Sequence, residues 1–501
     1  MTHFLTPFEN PLYLEPLRVG NLQTRPLDLL EHVLATGGTG SGKTRSFVLP
    51  LVEELLIRFG TEPEQKAALV VLDAKGDMTE LVSEVVHRAG RSADLFVFGE
   101  NGNCWFSLFE QFNGDPTTVA NFLFENLEDR TAGKNIGSSN ESFWEENARR
   151  LLRAGVIAAK AKHGLTLGGL RGISEGINVV MAANLVAPPP AAVPAGSQTA
   201  VTIGAELNGL LEEGFLAGRI CLWEFRETVE YAERDVCGGN PRTWGSIANM
   251  ARNYLSQFSH PRLRDLFEEA PGKRKITPED VIDEGLLIIV SLSPVLYGEA
   301  AAPFRLAVKK AFCDRILQRN HLVRQEGERV VAINQSRPIV YVMDEFHSII
   351  NAKGRGADAY FLDRAREFRC MCVLATQGIS AIRSVLGSDG MLDHLLNNCR
   401  TKFFFANDCP DTLKYFETLG GTADRQVTNV QYRSVTAPPR FRLPNHTFAT
   451  PKATVEVGHT VDTRKESKFV SAELGALPNG TALVVLKGRK LVRYTMAVSQ
   501  I

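Results

Sequence analysis

The chain is poor in cysteine (8 of 501 residues), tryptophan (4) and tyrosine (9), and it carries no net charge worth the name, at −1. Each shortage excludes something. Cys104, Cys221, Cys237, Cys313, Cys370, Cys372, Cys399 and Cys409 contain no CxxC pair and no framework spacing, which excludes a disulfide scaffold and leaves buried, reduced thiols. Cys370 and Cys372, two apart in an apolar run, read as packing residues. Long apolar runs are missing too. Met1–Thr36 brings charges and prolines early, unlike a secretory signal. The most apolar later stretch, Ile177 to Ala195, is broken by Pro188-Pro189-Pro190 and Pro194, whereas a membrane-spanning helix needs ~20 predominantly apolar residues. A soluble, cytoplasmic chain is expected. The balance of 56 basic and 57 acidic residues excludes a surface that is basic all round, but not a local basic channel.

What is present is an ordinary globular composition, 44% hydrophobic and 23% charged, on a chain long enough for two or three units of ~100–200 residues. Short, nearly continuous apolar runs predict strands at His32–Thr36, Ala67–Asp73, Leu95–Phe98, Leu286–Leu292, Ile339–Asp344, Met371–Thr376, Lys402–Ala406 and Ala482–Lys487. Continuity rather than alternation suits a parallel sheet buried on both faces. Helices lie between them, such as Pro303–Arg319, with Phe304, Val308 and Phe312 along one face. From Phe106 to Pro278 the rhythm turns helical, with Ser142–Lys162 the clearest segment and the Pro/Ala-rich Val186–Gly196 a surface loop. The expected organisation is an α/β core in two parts, residues 1–105 and 279–501, with an all-α insertion at 106–278. Val427–Val461, rich in Thr, Val and Pro, predicts hairpins or an extended excursion before the last strand.

The sharpest motif is Gly37-Gly38-Thr39-Gly40-Ser41-Gly42-Lys43-Thr44, which matches G-x-x-x-x-G-K-[ST] between a predicted strand and a predicted helix. Phosphate groups must be wrapped closely by backbone N–H donors, and glycine lets the chain curl that tightly. The helix starting near Lys43 aims its N-terminal dipole at the anion. Lys43 is expected to neutralise the β- and γ-phosphates of ATP, and Thr44 to place its hydroxyl on Mg²⁺.

Hydrolysis requires more. The apolar run Pro338–Met343 ends in Asp344-Glu345. Asp344 is placed to hold Mg²⁺ through a water, and Glu345 to orient and polarise the attacking water; the bland alternative is a solvated strand end. Gln377, at the end of Met371–Thr376, can reach the γ-phosphate and report its loss, or be a plain turn residue. Arg364, Arg366 and Arg369 lie between, and one could serve a neighbouring subunit as an arginine finger; for any one taken alone, a surface ion pair is the simpler reading.

With these residues in place, the chain resembles the TraG/TraD-type coupling ATPases of conjugation and type IV secretion, RecA-like P-loop proteins related to the FtsK/HerA translocases. The resemblance runs over most of the chain after about Leu30. It rests on the P-loop, on Asp73-Ala74-Lys75-Gly76-Asp77, on Phe143-Trp144 in the helical region and on Ile276-Thr277-Pro278-Glu279-Asp280-Val281-Ile282-Asp283-Glu284-Gly285. It continues through Asp344-Glu345-Phe346 and Ala375-Thr376-Gln377 to Leu477-Pro478-Asn479-Gly480-Thr481-Ala482. It implies homohexameric rings that hydrolyse ATP between subunits and drive DNA, or a relaxase–DNA complex, towards secretion-channel proteins. It also implies an inserted helical region that recognises substrate or accessory proteins. Arg366, eleven residues before Gln377, matches the family's finger. Many members carry an N-terminal membrane anchor, whereas this chain reaches its P-loop after 36 residues, so membrane contact is expected only through a partner, if at all.

Two other functions share much of this pattern. A DNA translocase of repair or phage defence would keep the fold, although Asp73–Asp77 and Ile276–Gly285 speak against it. An adaptor that docks secreted proteins would use ATP as an assembly switch, but Glu345, Arg366 and Gln377 together argue for turnover. No aromatic–basic ladder for single strands is evident, and Lys309 and Lys310 read as a solvated helix face more than as a DNA contact.

Overall fold

The computed structural model describes residues 10–60, 62, 65–112, 114–128, 139–183, 205–256, 260–319, 323–326, 329–332, 337–352, 357–436, 441–442, 447–448, 453–486 and 490–495. The loop expected at Val186–Gly196 lies outside them. A nine-stranded sheet organises the chain. In sequence order its strands are β1 (Val33–Thr36), β2 (Ala68–Asp73), β3 (Leu95–Phe98), β4 (Leu287–Ser291), β5 (Ile339–Met343), β6 (Cys370–Thr376), β7 (Thr401–Phe405), β8 (Thr481–Leu486) and β9 (Lys490–Thr495). Across the sheet they run β9-β8-β7-β1-β6-β5-β2-β4-β3. The seven from β7 to β3 are parallel; β8 and β9 add an antiparallel edge. All eight predicted strands are present, within two residues at either end. The ninth, whose Tyr494 is fully buried while its neighbours are charged or half-exposed, gave no apolar run to find.

Alternate residues of the strands serve two different cores, as the pleat requires. Val33, Ala35, Leu69, Val71, Val340, Val342 and Val373 pack beneath the helices Lys43–Arg58 and Met78–Arg88. Leu34, Val70, Leu72, Tyr341, Met343 and Leu374 face the other way, into one continuous core shared with Ala301–Gln318 and the helices between Pro116 and Phe267. Each fully buried Val, Leu or Met among them contributes ~1.5–3 kcal/mol. Entry to and exit from the helical segment are held together, because Cys104–Phe106 pairs in parallel with Arg274–Ile276. The Ile276–Gly285 stretch then serves as a helix stop and start. Thr277 caps Pro278–Glu284 through Asp280 in a reciprocal capping box, with Pro278 in the first turn.

Ala301–Gln318 corrects an expectation. It is buried nearly all round, not along one face, because it is sandwiched between the sheet and the inserted helices. Its charges are consequently paired inside. Lys309, 2% exposed, donates to Asp358 and to the Ile349 carbonyl, both at 2.5 Å, and is neither a solvated face nor a DNA contact. Lys310 lies over the Phe122 ring. The cysteines are all thiols, but not all are buried as expected: Cys237 and Cys409 are half-buried, and Cys221, which caps the helix Leu222–Tyr231, is exposed.

The excursion expected at Val427–Val461 is a long antiparallel ribbon, Thr422–Thr436 against Ala453–Ser467, with Val430, Val455, Val457 and Val461 exposed. Among the described residues no helix is long and apolar enough to cross a membrane.

Candidate functional site

The candidate site is built at the carboxyl ends of the parallel strands, where backbone groups and helix N-termini are open to a ligand. The glycine-rich loop between β1 and its helix is tied to two neighbouring strands. Gly37 N–H donates to the Thr376 carbonyl at 3.3 Å, and Gly38 N–H to that of Ala406 at 2.8 Å. A third tie comes from the distant loop before β8, where Gly480 N–H donates to Ser41 O at 3.0 Å. Gly42 sits at φ +94°, and a Cβ there would meet Gly480 N at 2.8 Å, so both the turn and the close approach require glycine. Lys43 is buried and donates to the carbonyls of Gly37 (2.6 Å) and Gly38 (3.2 Å). Burial lowers its pKa, against the pull of Glu345 and Asp344.

The helix behind the loop opens in a wide π-type turn over Lys43–Val48 before tightening. Pro50 has no N–H to donate to Ser46 O, and the Tyr494 hydroxyl of β9 takes that carbonyl instead.

Asp344 and Glu345 follow β5, next to the loop. Both are nearly buried, at 5% and 6% exposure. Burial, and then the charge of Glu345, pushes the Asp344 carboxyl up to about 6. Glu345 adopts φ +46°, a left-handed backbone rare for a non-glycine residue, and Ser348 fastens its carbonyl through N–H (2.8 Å) and hydroxyl (2.9 Å). Its Oε1 accepts from Gln377 Nε2 at 3.4 Å and pairs with the Lys75 ammonium. Burial raises the Glu345 carboxyl, but the bond and charge of Lys75, helped by Gln377, outweigh it and hold the group below its ordinary value. His347 lies 3.5 Å from Oε2 and 3.3 Å from the Thr376 hydroxyl. Burial lowers its pKa, against the pull of Glu345. Gln377 is exposed, and its carbonyl accepts from Asn407 Nδ2 at 2.8 Å.

Lys43, Asp344, Glu345 and Gln377, separated in sequence, thus meet at one end of the sheet, with Thr44 in the first turn of the helix. Arg366 does not join them. It precedes β6, at the opposite end of the strands, and pairs with Glu31 at 3.0 Å. Arg364 is exposed and Arg369 buried at the same far end. Lys75, His347, Asn407 and Gly480 are site neighbours to which the motif reading assigned no role. For Lys75 and Gly480 the signal was there, as motif residues at strand ends, but not the sheet order that brings them in.

Comparisons with known proteins agree with the motifs. Residues 4–175 match the family model described as type IV secretory system conjugative DNA transfer. Residues 338–474 match that of the TraM recognition site of TraD and TraG. The resemblance to TraG/TraD-type proteins is therefore borne out over both ends of the chain. No curated protein matches the sequence. Among solved structures, the unbound monoclinic form of the bacterial conjugative coupling protein TrwBdeltaN70 aligns with TM-score 0.56 at 17% identity, over 97% of this chain and 88% of that one. The plasmid coupling protein TrwB with the non-hydrolysable ATP analogue ADPNP aligns at 0.54 and 17%, and TrwB with ADP and Mg²⁺ at 0.54 and 16%, each over 97% and 89%. At these identities the likeness establishes the RecA-like α/β fold.

Proposed function

We propose that this chain, whose two matched segments fall in the conjugative DNA-transfer and TraD/TraG families, is an ATP-hydrolysing coupling motor that brings DNA or a relaxase–DNA complex to a type IV secretion channel. One observation carries the reading: a phosphate-type loop, a buried Asp-Glu pair and a sensor glutamine converge at the same strand ends. The residues fit a magnesium nucleotide. A glycine turn with no room for a Cβ at Gly37 or Gly42 offers backbone N–H groups to phosphate, Lys43 supplies charge, and Thr44 and the buried Asp344 offer the oxygens that Mg²⁺ would take alongside phosphate. TrwB, similar in fold, is described with ADP and Mg²⁺.

In this scheme Mg²⁺ supplies charge neutralisation at the phosphates. Lys43 and the loop amides orient the triphosphate. Glu345, ionised, accepts a hydrogen bond from the attacking water and aligns it, while Gln377 links that carboxylate to the end of β6. Arg366, too far from its own chain's loop, would complete the site of a neighbour in a homohexameric ring, a heterologous arrangement that closes on itself. Residues 106–278 would act as the recognition insertion between two parts of the motor core, 1–105 and 279–501. Membrane contact would come through partners.

The test is the ATPase rate as a function of protein concentration, with and without single- and double-stranded DNA, at low and moderate salt. Steep concentration dependence with DNA stimulation is expected. A flat, DNA-independent rate would overturn the motor and favour an ATP-switched adaptor.

A further inference from the structure

The Asp73–Asp77 segment has no part in the scheme above, yet it reaches the site. Asp73, 1% exposed at the end of β2, spends its carboxylate on the loop's own backbone. Oδ1 accepts from Lys75 N (3.1 Å) and Gly76 N (2.7 Å), and Oδ2 from Met78 N (3.0 Å). From the other side Ser293, just beyond β4, donates its hydroxyl to the Lys75 carbonyl at 2.7 Å. Two of these four bonds hold the N–H and carbonyl of Lys75 itself, and the other two hold the turn that follows it at Gly76 and Met78. The Lys75 ammonium pairs with Glu345 Oε1, the same oxygen that accepts from Gln377. The sheet order explains the meeting: β2 lies between β5, which delivers Glu345, and β4, which delivers Ser293.

A loop braced this firmly to aim a half-exposed lysine is more than a surface ion pair needs, since such pairs are worth little by themselves. We infer that Lys75 is a positioning residue for hydrolysis, holding the Glu345 carboxylate where it must meet the attacking water. This rests on the reading of Glu345 given above. The strained φ of Glu345 sets its backbone, and Lys75 and Gln377 fix Oε1, which also orients Oε2, a buried oxygen 3.5 Å from His347 Nδ1 that accepts no hydrogen bond among the described residues. Asp73 and Ser293 act one step further out, through Lys75.

The experiment compares the full chain with Lys75→Met, Lys75→Arg, Glu345→Gln and the double variant Lys75→Met/Glu345→Gln, measuring kcat and KM for ATP and the affinity for a fluorescent ATP analogue. Lys75→Met is expected to lower kcat roughly 10²-fold, as misplacement of a reacting group does, with KM and analogue affinity within about twofold. Lys75→Arg should recover most of the rate, and Lys75→Met should cost little more once Glu345 is Gln. Retained analogue binding shows that the variants are folded. Native or faster turnover in Lys75→Met, with Glu345→Gln stalled, would overturn the inference alone. Equal losses in kcat and analogue affinity would make Lys75 a phosphate contact and overturn it too. Normal turnover in Glu345→Gln would overturn the assignment of Glu345, and this inference with it.

Discussion

Gly480 and Ser41 lie near opposite ends of the chain, and the N–H of the first donates to the carbonyl of the second at 3.0 Å. The loop before β8 is therefore a wall of the phosphate-type loop. Gly480 holds φ +76°, and a Cβ there would meet the Ser46 hydroxyl oxygen at 2.9 Å. Gly480→Val should weaken ATP binding about tenfold, given strain of ~1–3 kcal/mol at such a site. Titration with a fluorescent ATP analogue measures this, and unchanged affinity would show that the loop is not part of the cradle.

Lys43→Ala and Glu345→Gln should separate binding from turnover. The first removes the buried ammonium beside Gly37 and Gly38 and should abolish tight ATP binding. The second keeps the shape of the side chain, so binding should persist while hydrolysis falls about 10²–10⁴-fold. Single-turnover and equilibrium-binding measurements on both variants check it; normal turnover in either contradicts the site.

Arg366 offers a test of catalysis between subunits. Arg366 is half-exposed where it pairs with the buried Glu31 carboxylate at the strands' far end, so Arg366→Ala should fold and lose activity. Mixing inactive Arg366→Ala with inactive Lys43→Ala should restore part of the rate, since some interfaces then hold an intact loop and an intact arginine. No recovery in mixtures shown to co-assemble would remove Arg366 from the mechanism.

Lys309 should matter for stability instead of DNA. Lys309→Met leaves Asp358 buried without its cation and should cost about 3–5 kcal/mol in denaturant unfolding. Lys309→Met/Asp358→Asn should regain much of that loss. A variant as stable as the native chain would mean that the pair contributes nothing.

His32 should make the fold acid-sensitive. Its Nε2 bonds the Leu362 carbonyl at 2.7 Å while Nδ1 accepts from Cys372 N–H at 3.3 Å, so the ring is neutral with its proton on Nε2. Burial lowers its pKa from 6.5 to about 4. Protonation therefore favours the unfolded chain: the contribution is intact above pH 6.5 and is lost as pH falls through 4, about 3 kcal/mol in all. Urea midpoints at pH 7.5 and 4.5 should fall further for the native chain than for His32→Gln, and parallel falls would exclude His32 as the cause.

Much of this molecule is legible locally. The eight apolar runs become strands because residues buried on both faces leave an unbroken run, a property of neighbours along the chain. The loop Gly37–Thr44, the carboxylates after β5 and the Thr277–Asp280 cap are likewise short-range patterns with short-range causes. Sheet order is not local. That β2 lies beside β5, and β1 between β6 and β7, is decided by crossover connections and packing between segments far apart in sequence. Only that order carries Lys75 to Glu345 and Gln377 to the same oxygen. Helical periodicity, too, shows how apolar a face is but not what covers the other faces, which is why Lys309 read as solvated and is buried. Sequence alone determined the elements and the chemical groups at their ends; tertiary packing decided which of those ends meet, because burial and hydrogen bonding between distant segments choose the neighbours.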